Sequence, residues 1–262
     1  MKSRALLIAL TVSLFSPFTP AIAAEPKVAI AYDIGFLGDN SFNDAVNLAL
    51  KSAKKKYGLV EPFVREVPTN GTTVYFREDH GAYLAGVAAA NLSKRKSIAF
   101  IGSEPELLES FTRGAKVNFP KIRIKNISYP DSVDSLRSQL NGIDIAYSTW
   151  DGDPSVLAVI NESFAGKIRL ILETPDQYFA QVSQAKAVVV ATVSKQMTKP
   201  ISQLVSAALE SRAIIDVIDE GEGIYGREYN AANGGVGITF NIAVNSSLKS
   251  QLRQALIQLK QG

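Results

Sequence analysis

Apolar and polar positions follow two rhythms along this chain. Strand-length segments recur at 28–32, 62–67, 73–76, 97–101, 122–129, 143–148, 168–172 and 187–193, the first of them a short continuous apolar run. Runs of that length without a polar face predict strands covered on both sides. Between them apolar residues fall three or four apart, as one face of a helix requires. That spacing predicts a helix opening at Ser41 and closing before Gly58, and others over 79–92, 105–117, 131–140, 154–164, 199–211 and 248–259. The ends carry their own signals. Ser41 and Asp44 stand as a capping-box pair, Pro105 suits a first turn, and Asp131 is placed to cap. Lys54, Lys55 and Lys56 sit where a helix dipole is negative, and a solvated helix end explains them better than a nucleic-acid patch. Strands and helices taking turns predict an α/β fold with a mostly parallel sheet and right-handed crossovers.

Composition narrows the class. The first 24 residues read as a signal peptide: Lys2 and Arg4 lead an apolar run that is too short to span a bilayer, and small residues follow it. Cleavage is expected after Ala23 or Ala24, delivering a secreted, periplasmic or cell-envelope protein. Losing Lys2 and Arg4 lowers the formal charge from +3 to +1. A near-neutral chain gives no reason to expect nucleic acid as partner, and a membrane only indirectly. With no cysteine there is no disulfide, thiol catalysis or lipobox anchor. Hydrophobic residues make up 46% of the chain, enough for a sizeable core.

Candidate chemistry gathers where strands end. In parallel sheets ligands bind beyond the carboxyl ends of the strands. Residues 32–43, Tyr-Asp-Ile-Gly-Phe-Leu-Gly-Asp-Asn-Ser-Phe-Asn, put Asp33, two glycines and Phe42 at one strand-to-helix turn. Asp33 is read as a ligand acid, Phe42 as a stacking ring, and Asn43 with Asn40 as edge donors. Trp150, the only tryptophan, adjoins a Gly turn after another strand and is a second stacking candidate. Catalytic patterns fail their context. His80 is the only histidine, with no Gly-x-Ser-x-Gly nucleophile elbow to serve, and is expected as a polar residue at the surface or between lobes. The Gly221, Gly223, Gly226 pattern precedes more glycines rather than a helix, which predicts a loop. No catalytic residue, metal site or cofactor is assigned.

An ordered series of motifs resembles the basic membrane protein (PnrA-like) family. It consists of the 32–43 segment, then 76–86 (Phe-Arg-Glu-Asp-His-Gly-Ala-Tyr-Leu-Ala-Gly), Ile-Ala-Phe-Ile-Gly at 98–102 and Phe-Thr-Arg-Gly at 111–114. Asp176-Gln177, Ser194-Lys195 and Gly-Gly-Val-Gly at 234–237 complete it. The resemblance implies a substrate-binding protein of an ABC importer with the type I periplasmic-binding-protein fold, non-enzymatic, taking a purine nucleoside or similar ligand between two Rossmann-like lobes. It implies a stacking role for Phe42, a binding role for Asp33 and a place near the ligand for Lys195. The family's ribose acid falls at Thr174 here, so Glu173 or Asp176 takes that part. Two strand–helix units of the family are missing before residue 73, which predicts a reduced first lobe.

The expected organisation is a signal peptide at 1–24, an N-terminal lobe from 25–95 and 200–262, and a C-terminal lobe from 96–199. The chain is expected to be a monomer whose partners are a small-molecule ligand and an ABC permease. The alternative is an exported sensor or partner-binding module of the same fold with a degenerate ligand site. A carbohydrate-active enzyme using Asp151 and Asp153 is a third reading.

Overall fold

Strands that are apolar on both faces need two layers of cover, and the computed structural model shows how they obtain it. It describes residues 42–57, 72–128, 132–149, 160, 162, 164, 167–174, 188–221 and 224–260. The runs at 28–32 and 62–67 lie outside these. The elements in order are α1 (Phe42–Tyr57), β1 (Thr73–Phe76), α2 (Glu78–Leu92), β2 (Ser97–Ile101), α3 (Pro105–Lys116), β3 (Arg123–Ile127), α4 (Val133–Gln139) and β4 (Ile145–Ser148). Then come β5 (Arg169–Thr174), β6 (Val189–Lys195), α5 (Thr198–Leu209), β7 (Asp216–Asp219), β8 (Ile224–Tyr229), β9 (Val236–Phe240) and α6 (Ser246–Gln258).

They form two sheets. The larger has the order β3-β2-β4-β5-β6-β9, parallel except for β9, which runs antiparallel to β6. The smaller has the order β1-β8-β7, with β1 and β8 parallel. The architecture is the mixed α/β, mostly parallel arrangement expected. Side chains of β2, β4 and β5 divide by alternation, the period of a strand. Ile98, Phe100, Ile145, Tyr147 and Ile171 belong to one core, shared with α2 and α3. Their neighbours Ala99, Ile101, Ala146, Leu170 and Leu172 belong to a second core, with Leu136 of α4 and Ile160.

Helix α2 is apolar all round and is buried from His80 to Ala90, as such a helix must be. It packs on α3, on α6 and on the large sheet through β4, β6 and β9. The chain leaves the small sheet at Arg77, immediately after β1. The α2–α3 contact is unusually close. A Cβ on Gly86 would stand 2.1 Å from the Phe111 carbonyl oxygen, and one on Gly114 would stand 2.1 Å from that of Tyr83. Backbone meets backbone on both sides of this contact, so neither helix can carry a side chain there without separating.

Two local expectations change. The segment after Gly221, expected as a loop, contains β8, because Ile224 to Tyr229 find backbone partners on both sides, in β1 and in β7. Tertiary pairing outweighs the local preference of glycine. The cap of α4 is Ser132 rather than Asp131: its extended backbone lets the side chain accept the Ser135 N–H at 3.1 Å.

Replacing Gly86 or Gly114 with Ala is expected to destabilise the chain by about 1–3 kcal/mol, the usual range for overpacking. Urea unfolding followed by circular dichroism measures it; an unchanged midpoint would show that the helices separate at no cost.

Candidate functional site

Five parallel strands of the large sheet end on one edge, so the loops that follow them share one surface. The strand order reverses between β2, which has β3 on one side, and β4, which starts the run to β6. Such a switch point leaves a crevice because successive connections part company there. Across it, Thr149 Oγ1 donates to Glu104 Oε2 at 2.9 Å, and the Ser103 N–H donates to the same oxygen at 3.1 Å. Gly102 makes room for this arrangement, since a Cβ there would lie 2.2 Å from Thr149 Oγ1 and 2.9 Å from Glu104 Oε2.

Further along the same edge, Glu173 near the end of β5 is buried, and the Tyr147 hydroxyl from β4 donates to its Oε1. Burial first, and then the Glu173 carboxylate, push the Tyr147 phenol well above its ordinary value, with Glu78 and Glu104 adding in the same sense. The hydroxyl is therefore protonated, and so a donor, at neutral pH. Lys195, the last residue of β6, pairs with Glu78 of α2 at 2.9 Å and is largely buried. Arg77 fixes Asp79 through two hydrogen bonds of 2.8 Å. Burial raises the Asp79 carboxyl, but the Arg77 bonds and charge outweigh it and hold the group below the usual range.

Of these groups Glu78, Asp79, Glu104 and Lys195 line a cavity of about 670 Å³, whereas Glu173 and Tyr147 are buried beside the same strand ends and do not line it. Tyr75 and Phe76 of the small sheet form one wall, and Glu104 and Leu107 of the switch point form another. Glu78 and Lys195 stand between them. Its size is in the range of small-molecule sites, which run to roughly 300–1,000 Å³. A cavity lined by both aromatic residues and carboxylates suits a ligand with an aromatic body and hydroxyl or amino groups on its edge.

Of the residues assigned from sequence, Glu173 and Lys195 stand at the ends of β5 and β6, on this edge. Phe42 and Asn43 open α1, and their side chains lie outside the description. Asp33, Trp150 and Asp176 also lie outside the described residues, as do Asn40, Asp151 and Asp153. Glu104 and Glu78 were not singled out. Glu104 stands three residues after the end of β2 and directly before Pro105 at the start of a helix, which is a legible signal. That β2 and β4 are neighbours across a switch point is not. His80, expected at the surface or between lobes, is buried in the first turn of α2. Its Nδ1 accepts the Ala231 N–H at 3.4 Å.

A family profile described as "ABC transporter substrate-binding protein PnrA-like" matches residues 30–261. Basic membrane protein A2 of Borrelia garinii subsp. bavariensis is 35% identical over 155 residues, which is 53% of this chain and 46% of that protein. The ABC transporter nucleoside-binding protein BmpA of Lactococcus lactis subsp. cremoris is 34% identical over 93 residues, 35% of this chain and 25% of that protein. The matched segments thus span less than half the length of these relatives. Among solved structures, a transcriptional activator of the comK gene from Bacillus halodurans superposes with a TM-score of 0.55 at 17% identity, covering 71% of this chain and 64% of that one. That likeness is one of fold.

Tyr147→Phe leaves the buried Glu173 without this donor. The expected cost is about 1–3 kcal/mol of stability, the range for a buried polar group that loses its partner. Chemical denaturation checks it, and a neutral effect would mean that the Tyr147 bond does not hold the carboxylate.

Proposed function

The chain belongs to the PnrA-like family of ABC transporter substrate-binding proteins, and from that premise we propose that it is an exported, non-catalytic receptor for a nucleoside or a closely similar aromatic, hydroxylated metabolite. The observation that carries this reading is the cavity between β1 and the strand-end edge of the large sheet, lined by Tyr75 and Phe76 together with the anchored carboxylates Glu78, Asp79 and Glu104. Phe42 and Trp150 would stack on the base, and Asn43 would meet its edge. Asp33 would take one hydroxyl, and Glu173 or Asp176 the ribose pair. Tyr147 supports the part given to Glu173, because a carboxylate with one oxygen already held is oriented before the ligand arrives. Lys195 is proposed to sit beside the ligand, its charge balanced by Glu78.

The naming of a relative as a nucleoside-binding protein supports the ligand class. A hinge between the sheets would let a lobe built on β1, β7 and β8 close on the larger one, and an ABC permease would read the closed form. Among the described residues no helix is long and apolar enough to cross a membrane, so the permease would supply the passage itself.

Thermal-shift and calorimetric titration against adenosine, guanosine, inosine, uridine and free ribose test the proposal. At least one nucleoside is expected to raise the melting temperature in proportion to the logarithm of its concentration. A hydrogen bond to a charged group contributes about 1.5–3 kcal/mol, so Glu173→Gln should weaken binding roughly tenfold or more. A folded protein that none of these compounds stabilises would overturn the assignment.

A further inference from the structure

Among the described residues the chain passes between its two sheets three times, and the three passages are tied to each other. The first is Arg77, between β1 and α2; the second is Gln196 and Met197, between β6 and α5; the third is 230–235, between β8 and β9. Arg77 N–H donates to the Tyr229 carbonyl at 2.9 Å, which joins the first to the third. Gln196 N–H donates to the Gly235 carbonyl at 2.8 Å, which joins the second to the third. The third passage is itself a closed turn: Asn230 and Asn233 exchange bonds of 3.0 and 2.9 Å between backbone N–H and side-chain oxygen, and Gly235 N–H reaches the Asn230 carbonyl at 2.8 Å.

One side chain in this knot titrates near neutrality. His80 accepts the Ala231 N–H through Nδ1, so its neutral ring carries the proton on Nε2. A ring protonated on both nitrogens has no lone pair to offer, and it would turn an N–H toward the N–H of Ala231. We propose that His80 is a pH-sensitive clasp of the hinge, holding the β8–β9 passage to α2 when neutral and releasing it when protonated.

The surroundings do not rescue the charged form. Asp79 on α2 and Glu228 at the end of β8 favour it, while Arg77 and Arg113, the latter on α3, oppose it. Burial is the largest influence and lowers the His80 pKa below its ordinary value. The released form therefore binds the proton more tightly than the clasped form. The clasp is fully present above the ordinary imidazole value of about 6.5 and is lost as pH falls through the lowered one. Asp79, held below the usual carboxylate range, changes charge only in stronger acid, so its effect is separable.

The test uses the full chain without an affinity tag, where His80 is the only histidine and its imidazole resonance is unambiguous. A proton NMR titration is expected to place its midpoint below 6.5; a midpoint at or above that value overturns the proposal. Amide hydrogen exchange across the same range, corrected for the intrinsic pH dependence, supplies the second reading. Protection of Ala231 should fall at least tenfold with the midpoint of His80, while amides in the centre of α2 keep theirs. Protection that stays constant through the titration overturns the proposal. So does a loss that includes all of α2, since the step would then be unfolding. In His80→Gln, where the amide oxygen replaces Nδ1 as acceptor and does not titrate, Ala231 protection should be independent of pH; a wild-type response there would contradict the clasp. None of these readings requires a bound ligand.

Discussion

The geometry of this molecule depends on one constraint: five neighbouring strands run parallel, so their carboxyl ends emerge on the same edge. Strands β2, β4 and β6 are buried on both faces, which leaves their ends as the place where polar side chains can reach solvent or a ligand. Ser148, Glu173, Thr192 and Ser194 are buried polar groups in or near the last turns of these strands, and the Glu104–Thr149 contact lies just beyond them. The crevice follows from topology as much as from side chains, because the strand order reverses between β2 and β4. The small sheet then supplies the opposite wall through β1.

Four carboxylates at the cavity and the neighbouring strand ends are not loose surface charges. Glu104 is held by Ser103 and Thr149, Glu173 by Tyr147, Glu78 by Lys195 and Asp79 by Arg77. Each partner offsets part of the cost of bringing a charge out of water, and each fixes the carboxylate in direction. Since these groups are anchored before any ligand arrives, recognition by hydrogen bonding loses less side-chain entropy on binding. The close approach of α2 and α3 contributes to the same end: α2 carries Glu78 and Asp79, and α3 begins immediately after Glu104.

Much of the fold was legible because the two hydrophobic periods are distinct. Residues 97–101 could only be a strand covered on both sides, and 79–92, rich in alanine, could only be a buried helix. Strand order was not legible, since it is decided by contacts between distant segments. Nothing local tells that 236–240 would close the edge of the large sheet against β6, or that α2 would leave the sheet of the strand preceding it. The site was partly legible for the same reason. An acid or a lysine at the end of an apolar run, such as Glu173 or Lys195, can be seen in the sequence. Tyr147 reads as an ordinary core residue, and its hydroxyl gains meaning only when β4 and β5 lie side by side. Glu104 follows an apolar run in the sequence, as Asp33 does, yet only the switch point singles it out.

The central claim is that the groove between β1 and the strand-end edge is where a ligand enters and the two sheets close. A crystal structure of the protein grown with a saturating nucleoside tests this most directly. The account predicts the base and ribose between Tyr75 or Phe76 and the ends of β2, β5 and β6, with a ligand hydroxyl or amino group against Glu173 or Glu104. A nucleoside bound on another face of the molecule, with that groove still filled by solvent, would contradict it.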